Sequence, residues 1–191
     1  MSCTGIVLAA GSGVRVGTPK QFELIGGKRL WQYAWYNMLE ADVFDHVSVI
    51  VVGGPTRMDS LRKGVESCDT EYVIFTDASR PYTPAWVFKD MYKLLGDVPV
   101  AVVQPMYDST LFKDEPLDRT LITCIQTPNG FKRKLLLELL DNSFYGPVIH
   151  EYMRRRGEIT QYKTDFYNQK VTTVSDLEHV RRYYGSKSVN A

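Results

Sequence analysis

A loop rich in glycine and positive charge follows the first apolar run of the chain. Its sequence is LAAGSGVRVGTPKQF (8–22), with Gly11 and Gly13 ahead of two cations, Arg15 and Lys20. Glycines allow a tight backbone turn that exposes N–H groups, and these groups beside fixed cations suit a polyphosphate. The stretch therefore predicts a phosphate-binding loop; the alternative is a tight strand-to-helix turn with solvated charges.

Neither of the two common nucleotide-binding patterns is present in this loop. A dinucleotide fingerprint needs a third glycine where the chain has Val16, and the GK[ST] sequence of a Walker A loop does not follow. Two cations near a run of backbone amides remain, with Pro19 restricting the backbone before Lys20. This arrangement is compatible with a nucleoside triphosphate that is bound in another way.

A carboxylate ends a second apolar run. Asp77 is the last residue of YVIFTD (72–77), so its side chain is expected at the carboxyl end of a buried strand. At that place it can contact a ribose or help to hold Mg²⁺, which would bridge a triphosphate. The alternative is an aspartate that caps a helix or forms a turn.

Strands and helices alternate along the chain, and this alternation predicts the scaffold for these residues. Apolar runs predict buried strands at 5–10, 46–52, 71–77 and 98–105. Apolar residues at helical spacing predict helices at 30–41, 84–95 and 130–142, and Ser175 with Glu178 forms the capping-box pattern of a last helix. Such alternation is typical of an α/β fold with a largely parallel sheet.

Residues 106–126 interrupt this rhythm. Two β-prone runs flank the turn-like sequence KDEPLD (113–118), which predicts a hairpin or an arm that projects from the sheet. An arm of this kind commonly contacts another molecule.

Composition limits the classes of protein that the chain can represent. The 191 residues carry a net charge of +1, which gives no global field for nucleic acid or an anionic membrane, and we expect neither as a partner. The three cysteines (Cys3, Cys68 and Cys124) form no CxxC pair, so a zinc site is not expected. We expect a single domain spanning 1–191 in the reduced cytoplasm, without a signal sequence or membrane span.

Five motifs occur in the order found in one family of nucleotidyltransferases. They are LAAGSGVRVGTPKQF (8–22), GGPTRMDSLRKG (53–64), DASRP (77–81), QTPNGF (126–131) and NQKVTTVSDL (168–177). The first resembles the signature LAAGxGxRxxxxxPK of enzymes that activate phosphorylated sugars and alditols. With its PKQ ending and the other four motifs, the chain resembles the IspD/TarI-type cytidylyltransferases, which include methylerythritol phosphate and ribitol-5-phosphate cytidylyltransferases.

This resemblance implies a fold, a reaction and a set of partners. The fold is the three-layer, Rossmann-like nucleotidyltransferase fold of the nucleotide-diphospho-sugar transferase type, with a projecting β-arm at about 106–126. The reaction is transfer of CMP from CTP, with Mg²⁺, to a phosphorylated alditol or a phosphonate, with release of pyrophosphate. The arm implies a homodimer, because in the relatives it crosses to a partner subunit.

Residue roles follow from the same resemblance. Arg15, Lys20, Asp77 and Lys170 match catalytic positions, and Asp77 is also the candidate Mg²⁺ ligand. The nucleotide-binding positions are Ala9, Ala10, Gly11, Ser12, Gly13, Gly53, Gly54, Ser60 and Asp77. The acceptor-binding positions are Arg80, Ser109, Arg119, Thr127 and Lys170. Arg57 is expected to order its own loop, and the three histidines, which share no motif, are expected at the surface or its boundary.

The chain departs from the family pattern in places that bear on the acceptor. A strand and a helix that usually precede GGxxR are fused or deleted, and Pro147, Val148 and Ile149 replace an acidic stretch. Asn129 replaces the glutamine of TPQ, and Ser79 lies inside DAxRP. Two other hypotheses remain: a molybdenum-cofactor or sugar-1-phosphate nucleotidyltransferase, and a nucleotide-binding module without turnover.

Overall fold

The fold is an α/β structure built on one six-stranded sheet. The structure is a computed structural model that describes residues 1–14, 16–140 and 146–186. Its strands are β1 Cys3–Leu8, β2 Leu24–Ile25, β3 Lys28–Arg29, β4 His46–Ile50, β5 Tyr72–Asp77, β6 Val100–Pro105, β7 Thr110–Phe112, β8 Glu115–Leu117, β9 Thr123–Lys132 and β10 Thr160–Lys163. Its α-helices are α1 Leu30–Ala41, α2 Arg57–Glu66, α3 Ala85–Lys93, α4 Arg133–Leu140, α5 Val148–Arg156 and α6 Val174–Gly185. No helix in this described part of the chain is both long and apolar enough to cross a bilayer.

The central sheet has the strand order β10-β6-β9-β5-β1-β4. Strand β1 pairs in parallel with both β4 and β5, and β10 pairs in parallel with β6. Strands β1 and β5 are buried along their whole length, which explains why their sequences are largely apolar. Only β9 runs antiparallel to its neighbours β5 and β6.

Helices cover both faces of the sheet, because successive strand residues point to opposite sides. Ile6 of β1 packs into a core with α2, α4 and α5, whereas the adjacent Val7 packs into a core with α1 and α3. Helix α6 forms a smaller apolar cluster with β2 and the start of α1. The three-layer nucleotidyltransferase fold predicted from the sequence is confirmed.

The hairpin between β6 and β9 is shorter than the sequence predicted. Strands β7 and β8 are antiparallel, and the turn between them consists of Lys113 and Asp114, both at positive φ as in a type I′ turn. The second β-prone run, LITCIQ (121–126), does not return along the hairpin. From Thr123 it enters the central sheet as β9, which is half-buried over residues 124–126 and buried over residues 127–131.

Two local predictions were also wrong. The helix predicted from residue 130 begins at Arg133, because Gly130 pairs with β5 and β6 as part of β9, and the end of the predicted range, 141–142, lies outside the described residues. Helix α6 is capped by Thr173 and Asp176 instead of Ser175 and Glu178: the Thr173 hydroxyl accepts from the Asp176 N–H, and the Asp176 carboxylate accepts from the Thr173 N–H. The cap therefore lies two residues earlier than predicted.

Candidate active site

A cavity of about 410 Å³ lies where three parallel strands end. Strands β4, β1 and β5 end side by side, with Leu8 paired to both Ile50 and Asp77. Ligands of open α/β sheets bind in the crevice outside such carboxyl ends. The lining residues come from the loops after these strands, from α2 and from the segment before α6: Leu8, Ala9, Ala10, Gly11, Ser12, Lys20, Gln21, Leu30, Gly54, Pro55, Thr56, Arg57, Ser60, Asp77, Ala78, Ser79 and Lys170.

The glycine-rich loop forms one wall of this first cavity. Gly13 does not line the cavity but makes the turn: its φ is +73°, and a Cβ at this position would lie 1.7 Å from the carbonyl oxygen of Thr18. Gln21 donates from Nε2 to the carbonyl oxygen of Gly11 at 2.7 Å, which holds the two ends of the loop together. Arg15, a predicted catalytic cation, lies outside the described residues.

The segment after β4 forms the opposite wall. Ser60 Oγ accepts from the N–H of Gly54 at 3.1 Å and donates to the carbonyl oxygen of Thr56 at 3.0 Å. Gly53 is packed behind this wall, since a Cβ added there would lie 2.2 Å from Ser60 Oγ and 2.6 Å from Ala10 Cβ. The two walls therefore approach each other so closely that only glycine fits at position 53.

A second cavity of about 320 Å³ adjoins the first. Four residues line both cavities: Thr56, Arg57, Asp77 and Lys170. The rest of its lining is Met58, Arg80, Ile125, Gln126, Thr127, Asn129, Gly146, Pro147, Val148, Ile149 and His150. His150 is exposed, as expected, but lies at the edge of this cavity. Two ligands that occupy the two cavities would meet at the shared residues.

Asp77 lies between two cations at this junction. Arg57 donates to Asp77 Oδ1 from Nε at 3.0 Å and from Nη2 at 2.7 Å, and Lys170 Nζ donates to Oδ2 at 2.9 Å. Burial alone would raise the pKa of Asp77, but the charges of Arg57 and Lys170 outweigh it and hold the pKa well below its ordinary value. Asp77 is therefore an anion at neutral pH. The sequence predicts that Arg57 orders its own loop, and in the structure its guanidinium also reaches across to Asp77 at the end of β5.

Two predicted acceptor-binding residues, Arg80 and Thr127, line the second cavity. Thr127 is buried, and its Oγ1 accepts from the N–H of Asp77 at 3.3 Å. Arg80 donates from Nη1 to the carbonyl oxygen of Asn168, whereas its buried Nε has no hydrogen-bond partner within the described part of the chain. Burial lowers the pKa of the Arg80 guanidinium from its usual value. A half-buried cation that lines the cavity is suited to bind an anionic group.

The two predicted acceptor-binding residues of the arm lie apart from both cavities. Ser109 and Arg119 are exposed, and Arg119 donates from Nη1 to the carbonyl oxygen of Tyr107 within the arm. Neither residue is among the lining residues of the first or the second cavity.

The first cavity offers one carboxylate for a divalent cation. Asp77 is the acidic residue among its lining residues, and the described ranges contain no group of three or more His, Cys, Asp or Glu side chains that could hold a metal. A carboxylate has about four acceptor positions, of which Arg57 uses two on Oδ1 and Lys170 one on Oδ2. Oδ2 therefore retains capacity, and this fits Mg²⁺ bound by one carboxylate together with substrate phosphates.

Sequence reasoning gave no role to Asn168 and left that of Asn129 open. Asn168 is buried, accepts from Thr83 Oγ1 at 2.9 Å and donates to Gln126 Oε1 at 2.8 Å, so it connects the segment of Lys170 to β9. Its position two residues before Lys170 in the NQK motif was the available signal. Asn129 is also buried and lines the second cavity.

Comparisons with known proteins agree with this geometry. The model of the IspD family, 2-C-methyl-D-erythritol 4-phosphate cytidylyltransferase, matches residues 3–181. The Aquifex aeolicus protein of that name is 30% identical over 210 residues, covering 95% of this chain and 97% of the relative. The bifunctional enzyme IspD/IspF of Campylobacter jejuni is 32% identical over 157 residues, which cover 72% of this chain but only 42% of that protein.

Solved structures give the same result. The bifunctional IspDF of Campylobacter jejuni superposes with a TM-score of 0.84 at 29% identity, covering 93% of this chain and 54% of that one. The 2-C-methyl-D-erythritol 4-phosphate cytidylyltransferase of Thermus thermophilus has a TM-score of 0.81 at 18% identity, covering 97% of this chain and all (100%) of that one, and it supports the fold. Because the family model covers most of the sequence and a relative matches nearly end to end, the chain belongs to the IspD family of cytidylyltransferases.

Proposed function

We propose that this chain transfers CMP from CTP to the phosphate of a branched or linear polyol phosphate, with methylerythritol phosphate as the first acceptor to test. The observation that carries the proposal is the pair of adjoining cavities that share Arg57, Asp77 and Lys170. A transfer reaction needs two ligands whose reacting atoms meet, whereas a binding module needs only one cavity. The family and the names of the relatives support CTP and methylerythritol phosphate as the two ligands.

The proposed reaction is an in-line attack by an acceptor phosphate oxygen on the α-phosphorus of CTP. A bond forms between these two atoms, the bond to the β-phosphate oxygen breaks, and pyrophosphate leaves with the electron pair. The attacking oxygen is already anionic at neutral pH, so no general base is required. Catalysis then consists of positioning and charge stabilisation.

Cations of the chain supply that stabilisation. Lys20 lies in the wall of the first cavity and Lys170 lies at the junction, so both can face charge that develops on the transferred phosphate. Arg15 has the same role in the sequence-based prediction. Mg²⁺, which Asp77 would hold from the protein side, supplies further charge neutralisation on the triphosphate when bound.

The acceptor lies in the second cavity in this proposal. Arg80 would bind its phosphate, since an arginine fork matches phosphate geometry. The lining of this cavity also includes the apolar side chains of Met58, Val148 and Ile149, and the last two stand where the family resemblance implies an acidic stretch. This apolar surface favours contact with the carbon atoms of the acceptor over contact with a second charged group. Ribitol phosphate and phosphonates also meet this condition, so they are alternative acceptors for the same assay.

A homodimer would complete this acceptor site. The arm carries exposed apolar side chains, Leu111, Phe112 and Leu117, beside Ser109 and Arg119. Mixing the inactive variants Lys20→Ala and Arg119→Ala tests the arrangement, because a mixed dimer contains one site with both residues intact. Random mixing should restore about a quarter of wild-type activity. A monomer, or a dimer whose arm does not cross, would give no recovery.

The decisive experiment is a pyrophosphate-release assay with Mg²⁺. CTP, UTP, GTP and ATP are each tested with methylerythritol phosphate, ribitol phosphate and a phosphonate. Lys20→Ala should abolish release, and Lys93→Ala, an exposed lysine on α3, is the matched control. Release with CTP and one acceptor supports the proposal, whereas a preference for another nucleotide, or saturable CTP binding without turnover, contradicts it.

A further inference from the structure

Arg57 occupies a position that joins the two cavities. It is the first residue of α2, directly after the segment that contributes Gly54 to the first cavity, and its guanidinium lines both cavities. Its side chain is only 37% exposed although it belongs to a surface helix. The guanidinium carbon also lies 5.8 Å from the ring centroid of Phe75 in β5, so the side chain extends over the sheet.

The contact with Asp77 fixes the orientation of that carboxylate. Two nitrogens of one rigid guanidinium bond the same oxygen, Oδ1, at 3.0 and 2.7 Å. This arrangement leaves Oδ2 for Lys170 Nζ at 2.9 Å. Rotation of the Asp77 carboxylate would break both hydrogen bonds from Arg57 and move Oδ2, the hydrogen-bond acceptor of Lys170, away from the ammonium. The position of the Lys170 ammonium therefore depends on Arg57 through Asp77.

The start of α2 does not need Arg57 for its own stability. Thr56 Oγ1 accepts from the N–H of Asp59 at 3.1 Å, and the Asp59 carboxylate accepts from the N–H of Thr56 at 2.9 Å. This capping box satisfies the first turn of the helix without the guanidinium. Within the described residues, the hydrogen bonds of the Arg57 side chain go to Asp77 alone. The reach of its side chain across the site to Asp77 is thus not explained by local folding.

We infer that Arg57 is a positioning residue for CMP transfer, which holds the Asp77 carboxylate so that Lys170 stays at the junction of the two cavities. This inference rests on the proposed function. Arg57→Ala should lower kcat by about 10- to 100-fold, because a misplacement of about 1 Å at the reacting centre has an effect of this size. The KM for CTP should change by less than about threefold, because most of the first cavity is formed by other residues.

Two further variants make the test specific. Arg57→Lys keeps the charge but cannot form the two-nitrogen contact, so its kcat should lie between those of wild type and Arg57→Ala. Arg62→Ala removes another arginine of α2 that pairs with Glu66 and lines neither cavity, so it should retain wild-type kcat. Thermal unfolding of each variant reports whether α2 still folds.

A double-mutant cycle with Asp77→Asn tests whether Arg57 affects kcat through Asp77 or independently of it. If Arg57 acts through Asp77, adding Arg57→Ala to Asp77→Asn should lower kcat by less than about twofold. The inference would be overturned if the losses of kcat in the two single variants multiplied in the double variant. It would also be overturned if Arg57→Ala raised the KM for CTP with unchanged kcat, or if its loss of kcat only followed a loss of thermal stability. A wild-type chain without turnover would overturn the proposed function instead, whereas an active wild type with an equally active Arg57→Ala variant would overturn only the inference.

Discussion

The substitution Gly11→Ala adds one methyl group to the first cavity without a clash in the ligand-free protein. A Cβ built on Gly11 meets no other described atom within 4 Å, and the φ of this glycine lies outside the left-handed region. Gly11 lines the first cavity, so the methyl group would occupy space available to a ligand. Gly96→Ala is the matched control, because its Cβ also meets no described atom and Gly96 lines neither cavity.

The size of the effect follows from contact distances. A backbone N–H binds a phosphate oxygen at about 2.9 Å, whereas a carbon keeps that oxygen at about 3.3 Å or more. These two distances differ by about 0.4 Å. Because the methyl carbon also projects from the backbone, a triphosphate lying against this loop would have to move by on the order of 1 Å, which costs about 100-fold in rate, or about 2.7 kcal/mol of transition-state stabilisation. Stability should change in the opposite direction, because Gly→Ala at a compatible position stabilises by about 0.4–1 kcal/mol.

Two measurements on the same preparations of Gly11→Ala and Gly96→Ala test the predicted changes in rate and in stability. Steady-state pyrophosphate release with varied CTP measures kcat/KM, and a thermal scan should show Tm higher by about 1–4 °C in both glycine variants. The reasoning is refuted if Gly11→Ala turns over CTP like Gly96→Ala, since the triphosphate then does not lie against Gly11. It is also refuted if Tm falls by several degrees, since the activity loss would then reflect a distorted loop.

Three further predictions concern Lys170, the thiols and the core. Lys170→Ala should lower kcat by about 10²- to 10³-fold in the pyrophosphate assay, because it removes a cation that faces developing charge. A disulfide reagent at pH 8 should modify the half-buried Cys124 first, since burial raises the pKa of Cys68 and that of Cys3 to about 12; rapid labelling of all three would contradict this. Phe131→Ala should lower the free energy of unfolding in urea by about 3–5 kcal/mol, because the ring is 1% exposed; a change below about 1 kcal/mol would be inconsistent with a packed core.

The sequence predicted secondary structure well where a whole segment is buried. Strands β1 and β5 are covered on both faces, so their burial left continuous apolar runs that could be recognised without neighbours. The phosphate-loop pattern was equally local, because a turn such as that at Gly13 depends on residues within a few positions.

The sequence was misleading where the place of a strand depends on pairing with strands that are distant along the chain. The run LITCIQ (121–126) has high β propensity, which predicts a strand but not its partner. In the structure β9 lies between β5 and β6, with Gly130 so close to Leu95, Val100 and Ile74 that a Cβ would meet their side chains at 2.7–3.4 Å. No local pattern could distinguish a second hairpin strand from a central strand in the sheet.

The contacts of the site were the least predictable part. Lys170 and Asp77 are 93 residues apart, and Arg57 and Asp77 are 20 residues apart, so their pairing depends on how strands and helices assemble. The resemblance to known cytidylyltransferases supplied Lys170 as a candidate, but it gave no reason to expect Arg57 at the same carboxylate. A charged residue in a motif can stabilise its own loop or reach a distant partner, and only the assembled fold distinguishes these cases.

The pairing also explains why a carboxylate stands among groups that must attract phosphates. Arg57, Arg80 and Lys170 all line the second cavity, and cations brought this close in a half-buried site repel one another. Asp77 reduces that repulsion by accepting from two of them, so they can remain charged and ordered before any substrate binds. An incoming phosphate then meets cations that are already in place, so less reorganisation is needed during transfer. This role requires no metal, and it predicts that Asp77→Asn disorders Lys170 in the free protein.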